Sequence, residues 1–383
     1  MLLVHRSYLN MKVVFITRST LYKVYGGDTV QIKATAKYLQ QMGVEVDICL
    51  CDEQINYTQY DLIHFFNITR PADVIFHARK SGKPYVVSTI FVDFSSYERA
   101  NRSRTMTLLG KFISSDSIEY LKVIGRWIKN GESIRSQEYI LQGHRKSVRM
   151  VAEHASMLLP NSESEYTRFV EKYGTCNAHQ VIYNAVDPED FSVSDLQLQG
   201  KREDDLVICV ARIEGRKNQI NLIRALNNTS FRLLIIGDPA PNHISYYREC
   251  KSLAADNVQF IDFMPQQELL PYYLKAKVHA LPSWNETCGL SSLEAAYAGC
   301  NLVISPDGDT REYFNDQAWY CDPAEPQSIL KAVMKAAEAP VQLSLHHKIV
   351  SEYNWHESAR QTAMAYEKVM HGNRLNKPVR TGI

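Results

Sequence analysis

Short, continuous apolar runs separated by stretches of helical spacing recur along almost the whole chain. That alternation restricts it to parallel sheets covered by helices on both faces. One series comprises VVFIT (13–17), VEVDICL (44–50), LIHFF (62–66), YVVST (85–89), MLLP (157–160) and HQVIYN (179–184). A second comprises DLVICVA (205–211), FRLLIIG (231–237), VQFID (258–262), VHALP (278–282), NLVIS (301–305) and AWYCD (318–322). The polar stretch between them is broken by Pro188 and Gly200, so the expected organisation is two doubly wound, Rossmann-like α/β domains facing a cleft.

The expected boundaries are an extension over 1–10, a first domain over 11–187, a linker over 188–204 and a second domain over 205–352. A helix over 353–371 is expected to cross back to the first domain, followed by a tail over 372–383. Two domains also suit 383 residues, more than one core usually holds.

The 45% hydrophobic and 22% charged composition is that of a water-soluble globular chain. A net charge of +1 argues against a general nucleic-acid binder. No apolar run is long enough to span a bilayer, and the first ten residues are too short and polar for a signal peptide. Eight cysteines without CxxC or zinc spacing fit free thiols in a reducing cytoplasm. A glycosylation sequon, Asn285-Glu286-Thr287, falls inside the best site motif and would be awkward in a secreted protein. Residues 99–149 hold eleven Lys/Arg and four Asp/Glu, a local +7, with apolar residues interleaved. This segment is either a solvated helical face or a contact with an anionic membrane surface or a lipid-diphosphate acceptor.

The most informative motif is PSWNETCGLSSLEAAYAG, from Pro282 to Gly299. It follows a buried strand and turns through Gly289 into a helix starting near Leu290, with Gly299 at the stop. Free N–H groups at such a helix start suit a phosphate. Glu286 would lie in the turn and Glu294 about 6 Å further along the helix axis, one facing a sugar ring and the other a ribose. In CVARIEGRKNQINLIRAL, Arg212 and Lys217 leave the end of a parallel strand, and two cations there suit a nucleotide diphosphate. Lys217 is expected to open the next helix. Gly26 and Gly27 precede the helix DTVQIKATAKYLQQMG and allow close backbone approach to a ligand. Each piece alone also suits a plain turn, surface helix or surface salt bridge; their combination is harder to read that way.

On these residues the chain resembles the family 4 retaining glycosyltransferases of GT-B fold, over nearly all of residues 11–371. The matching pieces are Gly26-Gly27, VIYNAVDPEDF (181–191), VARIEGRKN, FRLLIIGD, the Glu286/Glu294 element and the closing YNWHESARQ helix. The resemblance implies that Arg212 and Lys217 neutralise the donor diphosphate and that Glu294 binds the ribose hydroxyls. Glu286 would contact the transferred sugar, with Thr287, Cys288, Gly289 and Leu290 lining the donor and Gly26 and Gly27 near its phosphates. It implies a UDP- or GDP-sugar donor, no cofactor and no bound metal. Asp307-Gly-Asp309 is accordingly read as a loop in which Asp309 caps a helix, not as a metal site. The acceptor would be a glycan or polyprenyl-diphosphate-linked glycan, in bacterial O-antigen or capsule synthesis at the inner face of the plasma membrane, with no nucleic-acid partner. Where relatives carry a histidine, this chain has Ile90-Phe91-Val92-Asp93, and Asp93 is the candidate acceptor-side group. Ala185 replaces the usual glycine of the interdomain segment. The alternatives are a nucleotide-sugar 2-epimerase on the same fold and a catalytically inactive glycan-binding protein.

Overall fold

The computed structural model describes residues 11–92, 120, 136–187, 198 and 200–375. Asp93 and most of the basic segment 99–149 lie outside the described residues. The chain divides into two compact units, one ending at Tyr183 and resuming at Trp355, the other built mainly from Asn184–Asn354.

Unit 1 carries strands β1 (Lys12–Thr17), β2 (Glu45–Leu50), β3 (Leu62–Phe66), β4 (Tyr85–Ser88) and β5 (Met157–Leu159). They form a five-stranded parallel sheet in the order β2-β1-β3-β4-β5. Every residue of β3 and β4 is buried, because helices cover both faces and leave no solvent side for alternation to mark. Among the described residues the strands are followed by helices α1 (Gly27–Gln41), α2 (Pro71–Ser81), α3 (Gln137–His154) and α4 (Glu163–Tyr173). Pro71 opens α2 where its missing N–H costs nothing, and the Ser162 side chain caps α4 by accepting from the Glu165 N–H.

The C-terminal helix (Trp355–Leu375) belongs to unit 1 and packs on α1. Its Tyr366 is fully buried, and the hydroxyl meets His64 Nδ1 at 2.6 Å while Ser88 Oγ lies 2.8 Å from Nε2. Burial pushes the His64 pKa down to about 3, so the imidazole is neutral between two hydroxyls. Burying an aromatic of this size stabilises by about 2–3 kcal/mol.

Unit 2 carries β6 (Glu203–Val210), β7 (Arg232–Ile236), β8 (Val258–Ile261), β9 (Ala276–Leu281), β10 (Asn301–Ile304) and β11 (Trp319–Tyr320). These pair in parallel in the order β11-β10-β9-β6-β7-β8. The helices are α5 (Gln219–Leu226), α6 (Ile244–Leu253), α7 (Gln266–Lys275), α8 (Leu290–Tyr297), α9 (Thr310–Phe314), α10 (Pro326–Glu338) and α11 (Leu343–Glu352). From β6 the chain adds β7 on one side and later β9 on the other. The exits of β6 and β9 therefore flank a switch point, where open α/β sheets place their ligands.

Three expectations need correction. HQVIYN is not a strand: His179 makes only an isolated bridge to Leu158, and the segment adds the N–H bonds of Gln180 and Ile182 to Leu158 and Pro160 before the chain enters unit 2. The stretch read as linker ends in structure. Arg202 is buried and donates to the carbonyls of Tyr273 and Ala276 at 2.9 Å and Ala298 at 2.5 Å, and β6 starts at Glu203. A guanidinium whose donors meet three carbonyls satisfies carbonyls at the ends of α7 and α8, a role that composition does not show. The C-terminal helix also runs to Leu375, beyond the expected 371.

Candidate active site

The exit of β6 runs from Val210 through Arg212 into a single 3₁₀ turn, Gly215–Lys217. Lys217 closes this turn and does not open the next helix, as its sequence position suggests. Asn218, at φ 60, separates it from α5, a left-handed conformation that asparagine tolerates. The Asn218 amide donates to Pro282 O at 3.0 Å and Pro323 O at 2.7 Å, tying the turn to the exit of β9.

The exit of β9 carries Glu286, 8% exposed. Its carboxylate forms an ion pair with the Lys217 ammonium and accepts the Ser283 hydroxyl at 3.1 Å. Arg216 approaches the other oxygen at 3.8 Å, donates to Asn285 O at 3.2 Å and pairs with Glu214 at 3.0 Å. Arg212 lies 3.6 Å from Glu214 and keeps its side chain 41% exposed. Three cations thus converge on two carboxylates at the carboxyl ends of β6 and β9. Burial pushes the Glu286 carboxyl up, but the charges of Lys217 and Arg216 outweigh it and hold the group below the usual carboxylate range. Burial also pushes the Lys217 ammonium down, against the pull of Glu286.

The backbone around Glu286 is gripped as well. Trp284 N–H donates to Arg216 O at 3.0 Å, Glu286 N–H to Asp307 O at 3.2 Å, and Asp309 N–H to Glu286 O at 2.9 Å. Asp307-Gly-Asp309 therefore works as a backbone clip. Gly308 is required in it: φ is +98, and a Cβ there would stand 1.9 Å from Glu286 O. Asp309 occupies the N-cap position of α9 without the expected side-chain cap bond. Among the described residues no group of three His, Cys, Asp or Glu is placed to hold a metal ion.

Beyond Glu286 the chain passes Thr287 and Cys288, whose buried thiol is pushed up by desolvation and by the Glu286 charge. Gly289 follows at φ +67 and caps α8. Leu290 opens that helix, so its N-terminus stands beside the Glu286 turn. Glu294 is 5% exposed and accepts from the Gln266 amide and, at 3.1 Å, from the Tyr273 hydroxyl.

Gly26, the N-cap of α1, and Gly27, its first residue, lie in unit 1 at the exit of β1. Arg18 shapes this loop, pairing with Asp28 at 2.6 Å and donating to Thr20 O at 2.8 Å and Val24 O at 2.6 Å. Arg18, Glu214 and Arg216 escaped the sequence reading. The one available signal was their position in the loops that leave β1 and β6.

The fold and this arrangement define the GT-B class: two Rossmann-like parallel-sheet units, with the candidate site on the carboxyl edge of the second. Residues 195–353 match the family of glycosyl transferases group 1, so the likeness to the family 4 glycosyltransferases holds. The chain is 33% identical over 178 residues to a D-inositol 3-phosphate glycosyltransferase of Kribbella flavida, covering 41% of this chain and 42% of that protein. It is 24% identical over 258 residues to an amylovoran biosynthesis glycosyltransferase of Erwinia amylovora, covering 61% of each. These matches span roughly half the length of the curated relatives. The Anabaena protein HepE, solved in complex with UDP-glucose, superposes with a TM-score of 0.69 at 16% identity, over 94% of this chain and 100% of that one. Among the described residues no helix is long and apolar enough to cross a membrane.

Proposed function

We propose that the protein is a retaining glycosyltransferase that moves a sugar from a UDP- or GDP-sugar to a glycan or lipid-linked acceptor. The observation that carries this reading is the buried Lys217–Glu286 pair, flanked by Arg212 and Arg216, beside the N-terminus of α8. As the glycosidic bond to the diphosphate breaks, negative charge develops on the leaving phosphate oxygens. Arg212 and Lys217 supply fixed positive charge there without reorganisation, which is usually the largest electrostatic contribution to such a step. With that charge delivered by side chains, no bound metal is needed for the leaving group. Glu286, kept ionised by its neighbours, accepts from hydroxyls of the transferred sugar, and Glu294 accepts from the ribose.

The likeness to the amylovoran enzyme supports a polysaccharide acceptor. The local +7 of residues 99–149 supports contact with an anionic membrane, which would place the work at the inner face of the plasma membrane. Asp93 remains the proposed acceptor-side group. Titration with UDP and GDP by calorimetry tests the donor assignment. Release of the nucleotide from UDP-glucose or GDP-mannose only when an acceptor is present then separates a transferase from a 2-epimerase. Binding of neither nucleotide by the wild-type protein would refute the reading.

A further inference from the structure

The carboxyl edge of the unit 1 sheet carries a second buried polar cluster that the donor chemistry does not use. Glu165, on the first turn of α4, is fully buried. Its Oε1 accepts from the Thr89 hydroxyl and from the Phe91 N–H at 2.7 Å, and its Oε2 from the Asn161 N–H at 2.9 Å. Asn161 Oδ1 accepts in turn from the Gln31 amide at 2.8 Å. Gln31 lies just over one turn into the helix that Gly26 caps. Buried hydrogen bonds thus join the exits of β4 and β5 to the second turn of α1.

The spacing Ser162-x-x-Glu165 is that of a capping box, in which the glutamate serves the start of its own helix. Ser162 does cap α4, at 2.8 Å from the Glu165 N–H. The Glu165 carboxylate reaches past its own helix to the β4 exit. Between the two groups it holds there stands Ile90, at φ +43. A β-branched residue in the left-handed region is an outlier, and such strain persists only where the surroundings impose it. Asp93 follows three residues later.

We infer that Glu165 is a positioning residue for the acceptor side of the transfer. It holds the Thr89-Ile90-Phe91 turn in its strained shape and locks that turn to helix α1 through Asn161 and Gln31. The assignment to the acceptor side rests on the transferase reading above, since the side chains proposed to bind the donor, Arg212, Lys217, Glu286 and Glu294, all lie in unit 2.

Glu165→Gln tests it, because either orientation of the amide turns an NH2 group toward an N–H or O–H donor. The expected result is a KM for n-octyl glycoside acceptors raised about tenfold or more, with UDP or GDP affinity changed far less. Amide exchange across residues 89–92 should quicken in the same variant. Adding Ile90→Gly, which removes the need to hold the turn under strain, should recover most of the acceptor KM. An acceptor KM within about twofold of wild type, or no recovery in the double variant, overturns the assignment. Thr89→Val, a milder loss of one donor, should shift the acceptor KM in the same direction, and no shift again overturns it. Should the wild-type protein bind no nucleotide, the transferase reading fails by itself. The exchange measurement still decides whether Glu165 holds the turn, and unchanged exchange would sink that claim.

Discussion

Lys217, at the end of the 3₁₀ turn after β6, and Glu286, in the turn after β9, form an ion pair with both side chains largely buried. The pair joins two segments that are 69 residues apart in sequence. Removing one partner of a buried pair leaves the other charge uncompensated, so its energetic role is inseparable from its chemical one.

Lys217→Ala should lower turnover by about a hundredfold or more, equivalent to about 3 kcal/mol of lost leaving-group stabilisation. It should also lower the melting temperature, since Glu286 is left with Arg216 at 3.8 Å. Arg212→Ala should cost a similar factor in turnover with little change in melting temperature, because that side chain is 41% exposed. Steady-state kinetics beside thermal unfolding check both, and normal turnover in the two variants would remove the phosphate assignment.

Glu294→Gln should weaken nucleotide binding more than it changes kcat. A ribose is held alike in ground and transition states, so losing that contact is a uniform binding loss. Calorimetric titration with UDP and GDP measures it; an unchanged dissociation constant makes Glu294 a structural partner of Tyr273 and Gln266.

Gly308→Ala should destabilise unit 2 by about 2 kcal/mol or more and depress turnover, because the new methyl collides with the Glu286 carbonyl in the clip. Gly372→Ala, in the C-terminal helix with open space around its Cβ, is the control and should be neutral or slightly stabilising. Denaturant titration of the two variants distinguishes a local collision from a general intolerance of alanine.

Acid stability should depend on two buried histidines. Burial holds both His64 and His279 down to about 3, and for His279 the Lys217 charge adds to it. Their folded pKa lies below the unfolded value of about 6.5. The unfolded state therefore takes up protons first as pH falls, and the stability present above that value is lost progressively toward pH 3. Neither ring nitrogen of His279 has a hydrogen-bond partner. His279→Leu should accordingly flatten the loss of stability below about pH 6.5 and be neutral or stabilising by about 1 kcal/mol at pH 7. Urea unfolding across that pH range reads both effects, and an unaltered slope would reject the account.

Replacing Lys122, Arg126 and Lys129 together with Gln should greatly reduce co-sedimentation with anionic liposomes at low salt, each basic residue contributing about 1 kcal/mol. Transfer to a water-soluble acceptor analogue should persist. Unchanged liposome binding would leave the segment a solvated face.

Local pattern determined a great deal about this protein. Parallel strands buried on both faces must be largely apolar, so strands such as β1, β3, β4 and β10 stood out as nearly continuous runs. The turn chemistry of Gly26, Gly289 and Gly299 marked where helices begin and end. The spacing of Arg212, Lys217 and Glu286 was visible because each follows a strand exit, and that of Glu294 because it lies one turn into the helix that comes next. What periodicity does not encode is which distant segments meet. Only the tertiary structure decided that Lys217 pairs with Glu286, that Arg216 and Glu214 join them, and that Asp307-Gly-Asp309 clips the Glu286 backbone. It likewise turned Arg202 from linker to buried clamp and sent the Glu165 carboxylate past its own helix. These contacts are set by strand order and register, through which residues far apart in sequence share one sheet edge, and a charged side chain looks the same in the sequence whether it ends in water or in a buried pair.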